Sequence, residues 1–157
     1  MLFLALAIAC IPAHAAKPQP ELAASVLTAE GLTALEPPHM NLNPGAKLKE
    51  GDRVTVMSNS KLRLRLVTGA VLELGPHSEL LLKHTLDGIP LLRVPHGELL
   101  LVSAGDQEIE VRTSQLKLRL FAKAFFLSKK LDQPAYVCIC DGEAQDRKST
   151  RLNSSHT

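Results

Sequence analysis

The chain has no tryptophan, one tyrosine and four phenylalanines. That scarcity rules out a core built on aromatic packing, so the interior has to be aliphatic. It also removes the stacking platforms on which proteins hold single-stranded nucleic acid. An excess of one charge is lacking too. The net charge is +2 over 157 residues, but Arg147, Lys148 and Arg151 against Asp146 supply that excess alone, which leaves residues 1–145 balanced. Balance argues against nucleic acid or an anionic membrane as partner. The glycines fall singly, so no phosphate-cradling loop is present. Ser60, Ser78 and Thr113 stand without a His or Asp at a recognisable elbow or motif spacing, which leaves hydrolase chemistry unsupported. Asp52, Asp87, Asp106 and Asp141 sit in turn contexts and read as solvated turn formers.

What is present divides into four parts. Leu2 to Ile11 is an apolar run of signal-peptide length, followed by Ala13-His14-Ala15, a small-x-small cleavage pattern. The run is too short to span a bilayer. Residues 1–15 are therefore expected to be an export signal, although no Lys or Arg precedes the run. Residues 16–46 read as a lead-in broken by Pro18, Pro20, Pro37, Pro38 and Pro44, with a short helix expected over Glu21 to Leu35. Residues 47–145 form the expected domain. Residues 146–157 back-translate, through Asp146 to His156, to a run resembling a widely used sequencing adapter. That tail is expected to be non-native, and the natural chain to continue past Gln145.

From Gly51 the side chains alternate with period two. Leu62, Leu64 and Leu66 interleave with Lys61, Arg63 and Arg65; Leu116, Leu118 and Leu120 with Lys117 and Arg119; Ile109 and Val111 with Glu108, Glu110 and Arg112. Successive strand residues point to opposite faces, so each segment has a wet and a dry side. Leu80–Leu82, Leu99–Val102 and Tyr136–Cys140 are apolar on both sides and are expected between two layers or at an interface with a missing segment. Turns fall at Thr68-Gly69, Gly75-Pro76, Asp87-Gly88, His96-Gly97, Gly105-Asp106 and Asp141-Gly142. The class is all-β: about ten short antiparallel strands, in a twisted sandwich or a solenoid-like roll.

The order of these segments resembles a known family. Lys49-Glu50-Gly51-Asp52-Arg53-Val54 is similar to the opening motif of the FecR domain of bacterial envelope proteins. Ser60, then Leu62, Leu64 and Leu66, then Thr68-Gly69 resembles its first hairpin. Leu72, Leu74, Gly75, Pro76 and Ser78 resemble the stretch that follows. Leu92 to Gly97-Glu98-Leu99, Val111-Arg112-Thr113 and Tyr136 to Gly142 resemble its middle and closing strands. Two places depart from the pattern. Thr113-Ser114 stands where the family has Thr-Pro, and Phe121 to Phe126, with Phe125 at the aromatic position, stands where it has Arg-Gly-Thr-x-Phe. The best-known members relay siderophore-receptor occupancy to a sigma factor through a membrane helix and a cytoplasmic anti-sigma domain. The resemblance here implies a stand-alone exported domain, a non-enzymatic sensor, signalling or interaction module with an envelope protein as partner.

One chemical motif stands apart. Cys138-Ile139-Cys140 places two thiols on one strand face with Tyr136, about 6.6 Å apart by two strand rises. Parallel Cβ vectors suit a shared ligand better than a mutual disulfide. The thiols could give half of a zinc site, bind a metal or haem, pair with cysteines beyond Gln145, or simply pack as small hydrophobes. The alternative function is accordingly a metal- or haem-responsive binding protein using Cys138 and Cys140. His77, His84 and His96 lie near turns and could share a transition metal if the strands register them, though turn histidines are more often solvated.

Overall fold

The computed structural model describes residues 21–36 and 39–146. The expected signal, Pro18, Pro20, Pro37, Pro38 and residues 147–157 lie outside them. Among the described residues the chain is all strand. The first four are β1 (Leu22–Glu30), β2 (Thr33–Glu36), β3 (Met40–Asn41) and β4 (Lys47–Lys49). Next come β5 (Arg53–Val56), β6 (Lys61–Leu66), β7 (Val71–Leu74), β8 (Ser78–His84) and β9 (Pro90–Arg93). The last four are β10 (Gly97–Val102), β11 (Ile109–Arg112), β12 (Lys117–Lys129) and β13 (Tyr136–Asp146). All belong to one mixed sheet curled into a half-barrel.

Two arms of that sheet meet on β12. One runs β3-β2-β5-β8-β9-β11, the other β10-β7-β6-β1-β4. β12 is long enough, at 13 residues, to hold β11 and β10 end to end on one edge: Leu120 pairs with Ile109, and Phe125 with Leu101. Its other edge takes β13. All pairings are antiparallel except β9 with β11, which is parallel. Away from β12 the arms are stitched where Glu79 N–H donates to His96 C=O at 3.0 Å and Ser78 bonds the Glu98 backbone.

The curl decides which residues are buried. Leu62, Leu64, Leu72, Leu74, Leu80, Leu99 and Leu101 point inward and are fully buried, with Phe125 as the one aromatic among them, while Lys61, Arg63 and Arg65 point outward. The core is aliphatic, as the composition requires.

Three expectations are corrected. The stretch read as a lead-in with a short helix is β1, β2 and β3. Ala23, Ala24 and Val26 of β1 are buried between β6 and β4, and this tertiary pairing overrides the helical preference of an Ala- and Leu-rich segment. For the strands apolar on both sides, the two-layer alternative is the one corrected, and the interface alternative stands. The curled sheet encloses one core, so Leu100, Val102 and Tyr136 face outward at 37%, 49% and 63% exposure. Asp141-Gly142 is not a turn either; it lies within β13.

Candidate functional site

The residues carrying the family resemblance are, with few exceptions, structural. Asp52 caps its own turn: its Oδ2 accepts from Lys49 N–H at 2.7 Å, beside Gly51. Ser60 accepts from Leu32 N–H at 2.9 Å and donates to Ser58 C=O at 3.0 Å, tying β1–β2 to the start of β6. Gly69 forms the β6–β7 turn, where its N–H donates to Leu66 C=O. Ser78 is buried; its hydroxyl accepts from Glu98 N–H at 2.9 Å and donates to Glu98 C=O at 3.2 Å. Gly97 sits against it with φ +113°, and a Cβ there would fall on the Ser78 backbone. Thr113 accepts from the N–H groups of Gln115 and Leu116 at 3.1 and 3.0 Å, closing the β11–β12 hairpin. Phe125 fills the core. Pro76 lines a mainly apolar cleft of about 410 Å³ with His77, His96 and Leu131.

The histidines do not converge. His96 Nδ1 lies 2.8 Å from His77 C=O and its Nε2 3.4 Å from Glu79, whereas His84, at the far end of β8, faces Glu50 at 3.7 Å. Six residue steps of strand separate Ser78 from His84, about 20 Å.

The cysteines do converge. β13 is locally irregular: Ile139 pairs with Phe125 and Asp141 with Ala124, so Cys140 is the extra residue of a bulge with no ladder partner. Farther along, Gly142 at φ +121° meets Ala122 and the Phe121 carbonyl so closely that a Cβ has no room. The bulge turns the Cys138 and Cys140 thiols toward one another, Sγ to Sγ 3.2 Å, with Cys138 half-buried and Cys140 exposed. The hydrogen bond to Cys138 pushes the Cys140 thiol above its ordinary pKa, with partial desolvation and the Cys138 charge adding to it. Among the described residues no group of three or more His, Cys, Asp or Glu side chains is placed to hold a metal ion, so the thiols stand as a pair.

Around them lies a partly exposed apolar row, with Leu100 exposed and Phe126 half-buried. Leu100 pairs with Phe126 and Phe126 with Cys138 across β10, β12 and β13. The Phe126 and Tyr136 rings touch at 6.3 Å between centroids, beside a cleft of about 350 Å³ that also includes Lys130 and Pro134. The far edge of β13 has no strand partner among the described residues.

A second cluster escaped the sequence reading. Glu110 is fully buried on the outer side of β11, beneath Arg112, Lys117 and Arg119. Arg119 also reaches Glu108 at 3.0 Å and Asp87 at 3.4 Å. Desolvation acts to lower the Arg119 pKa, but Glu108, Asp87 and Glu110 outweigh it and leave it raised. The signal was in the hairpin register: a turn at Thr113-Ser114 sets Glu110 opposite Arg119.

Compared with protein-family models, curated proteins and solved structures, the chain matches none.

Proposed function

We propose that this chain is a FecR-like, non-enzymatic interaction domain of the bacterial envelope, which senses or signals by taking a partner's extended strand along β13. The observation that supports this is the edge itself. Among the described residues Tyr136 to Ile139 pair on one side only, Cys140 bulges beside them, and an apolar row runs up to that strand. Open strand edges are templates for another chain, the backbone supplying affinity and alternate side chains supplying selectivity. The segment order, from the Gly51-Asp52 turn to β13, supports the family reading. The apolar run before Ala13-His14-Ala15 supports export.

The test is a crosslinked pull-down from envelope fractions with the wild type and a Tyr136→Lys/Cys140→Lys variant, which charges the edge. A partner recovered by the wild type and lost by an equally stable variant supports strand addition. The same partner with both, or a lone monomer at native abundance, sinks it. Export is tested separately, by fusing residues 1–15 to a phosphatase that is active only outside the cytoplasm.

The facing thiols favour one alternative, a metal- or haem-responsive binding protein. Equal, negligible metal and no haem absorbance in the wild type and a Cys138→Ser/Cys140→Ser variant dispose of it.

A further inference from the structure

We propose that Cys138 and Cys140 are a thiol–disulfide exchange site whose substrate is the disulfide of another molecule. This goes beyond partner docking and does not depend on it.

Three features carry the inference. The two sulfurs are already in contact at 3.2 Å, so closing to a disulfide near 2.05 Å takes a movement of about 1 Å. Exchange needs accessible sulfur, and here one thiol is exposed and the other half-exposed, at an edge strand. Cys140 is also the bulged residue, so its backbone can shift without breaking a ladder pair. A zinc site, by contrast, wants four donors, and no third joins these two among the described residues.

The chemistry closes on itself. One thiol gives its proton to solvent, and the thiolate attacks a sulfur of the incoming RS–SR. That S–S bond breaks, RS⁻ leaves and takes up a proton, and a mixed disulfide remains on the protein. The neighbouring cysteine loses its proton and attacks the protein sulfur of that bond, expelling the second RS⁻. The two protein thiols are oxidised to one disulfide, and RS–SR is reduced to two RSH. A disulfide closed across a single intervening strand residue is strained, and strained, exposed disulfides are the labile ones, so the reverse transfer is open as well.

The experiment treats reduced full-length protein with oxidised glutathione and determines the mass of the tryptic peptide covering residues 131–147. The expected peptide has lost two hydrogens and carries no glutathione. The Cys138→Ser and Cys140→Ser variants instead each hold one glutathione stably. Because the second attack is intramolecular, the closed peptide should exceed the doubly glutathionylated one by at least ~10-fold. A wild-type peptide bearing two glutathiones in an amount equal to or above the closed one overturns the proposal. So does a wild-type peptide that stays reduced while the single variants react. A parallel arm uses a disulfide-linked dimer of an extended apolar peptide. Faster closure with the dimer identifies a polypeptide disulfide as the source, and faster closure with glutathione a small one.

Discussion

At the scale of single residues, small side chains do most of the specifying. Gly97 opens β10 in a left-handed conformation directly against the Ser78 backbone, where the two arms of the sheet are stitched. A methyl there meets backbone as well as an unfavourable φ, so Gly97→Ala is expected to cost more than about 2 kcal/mol. Gly69→Ala, with a positive φ but open space around it, should cost about 1 kcal/mol. Urea unfolding of both variants measures the difference, and equal losses would refute the close-approach argument. Ser78→Ala takes the hydroxyl acceptor from Glu98 N–H, while Glu98 C=O keeps the Gly75 N–H at 3.1 Å, so it should lose about 1–2 kcal/mol. The cysteines offer a test by reactivity. Cys138 holds the Cys140 thiol protonated above its usual range, so less thiolate is present at neutral pH. Cys138→Ala removes the main cause, lowers that pKa and should speed alkylation of Cys140 by iodoacetamide, its pH–rate curve moving to lower pH. An unchanged or slower rate would count against the hydrogen bond. The sequence put the two thiols on a common face; the bulge that brings them into contact depends on how β13 registers against β12, and no local pattern announces it.

At the scale of elements, legibility followed the strength of the alternation. β6 and β7 were readable because Leu62, Leu64 and Leu66 interleave with charges and Gly69 marks the turn between them. β1 was not. Its run of Ala, Leu and Glu reads as helix, and only burial against β6, a strand some forty residues further along, makes it a strand. The β11–β12 hairpin shows an intermediate case: its alternation was plain, but the consequence was not. Pairing Glu110 with Arg119 on the outer side lets three cations cover one carboxylate completely. Truncating it to Ala leaves those cations without their shared partner. Arg112 and Lys117 keep 34% and 32% of their side-chain surface in water, so they rehydrate in part. The expected loss is therefore about 1–3 kcal/mol, short of that for breaking a fully buried pair. Glu110→Gln, which preserves shape and some hydrogen bonding, should lose less. Thermal melts that rank Gln below Ala would show that shape is not what the site needs.

At the scale of the whole molecule, the N-terminal strands decide whether the curled sheet is self-sufficient. β1 lies between β6 and β4, and β2 covers the outer edge of β5. Removing everything before Lys47 would strip β6 of one neighbour and leave fully buried Leu48 without β1. It would also take Ala23, Ala24, Val26 and Leu42 out of the core. The result would be a long hydrophobic edge bearing Leu62, Leu64 and Leu66, the kind of edge that pairs with other chains. A chain starting at Lys47 is therefore expected to aggregate, or to lose its cooperative unfolding transition and bind a hydrophobic dye. A chain starting at Glu21 retains every strand described and should unfold cooperatively like the full-length protein. If the Lys47 chain stayed monomeric with an unchanged urea midpoint, β1 to β3 would be an appendage after all, and the half-barrel would be complete without them.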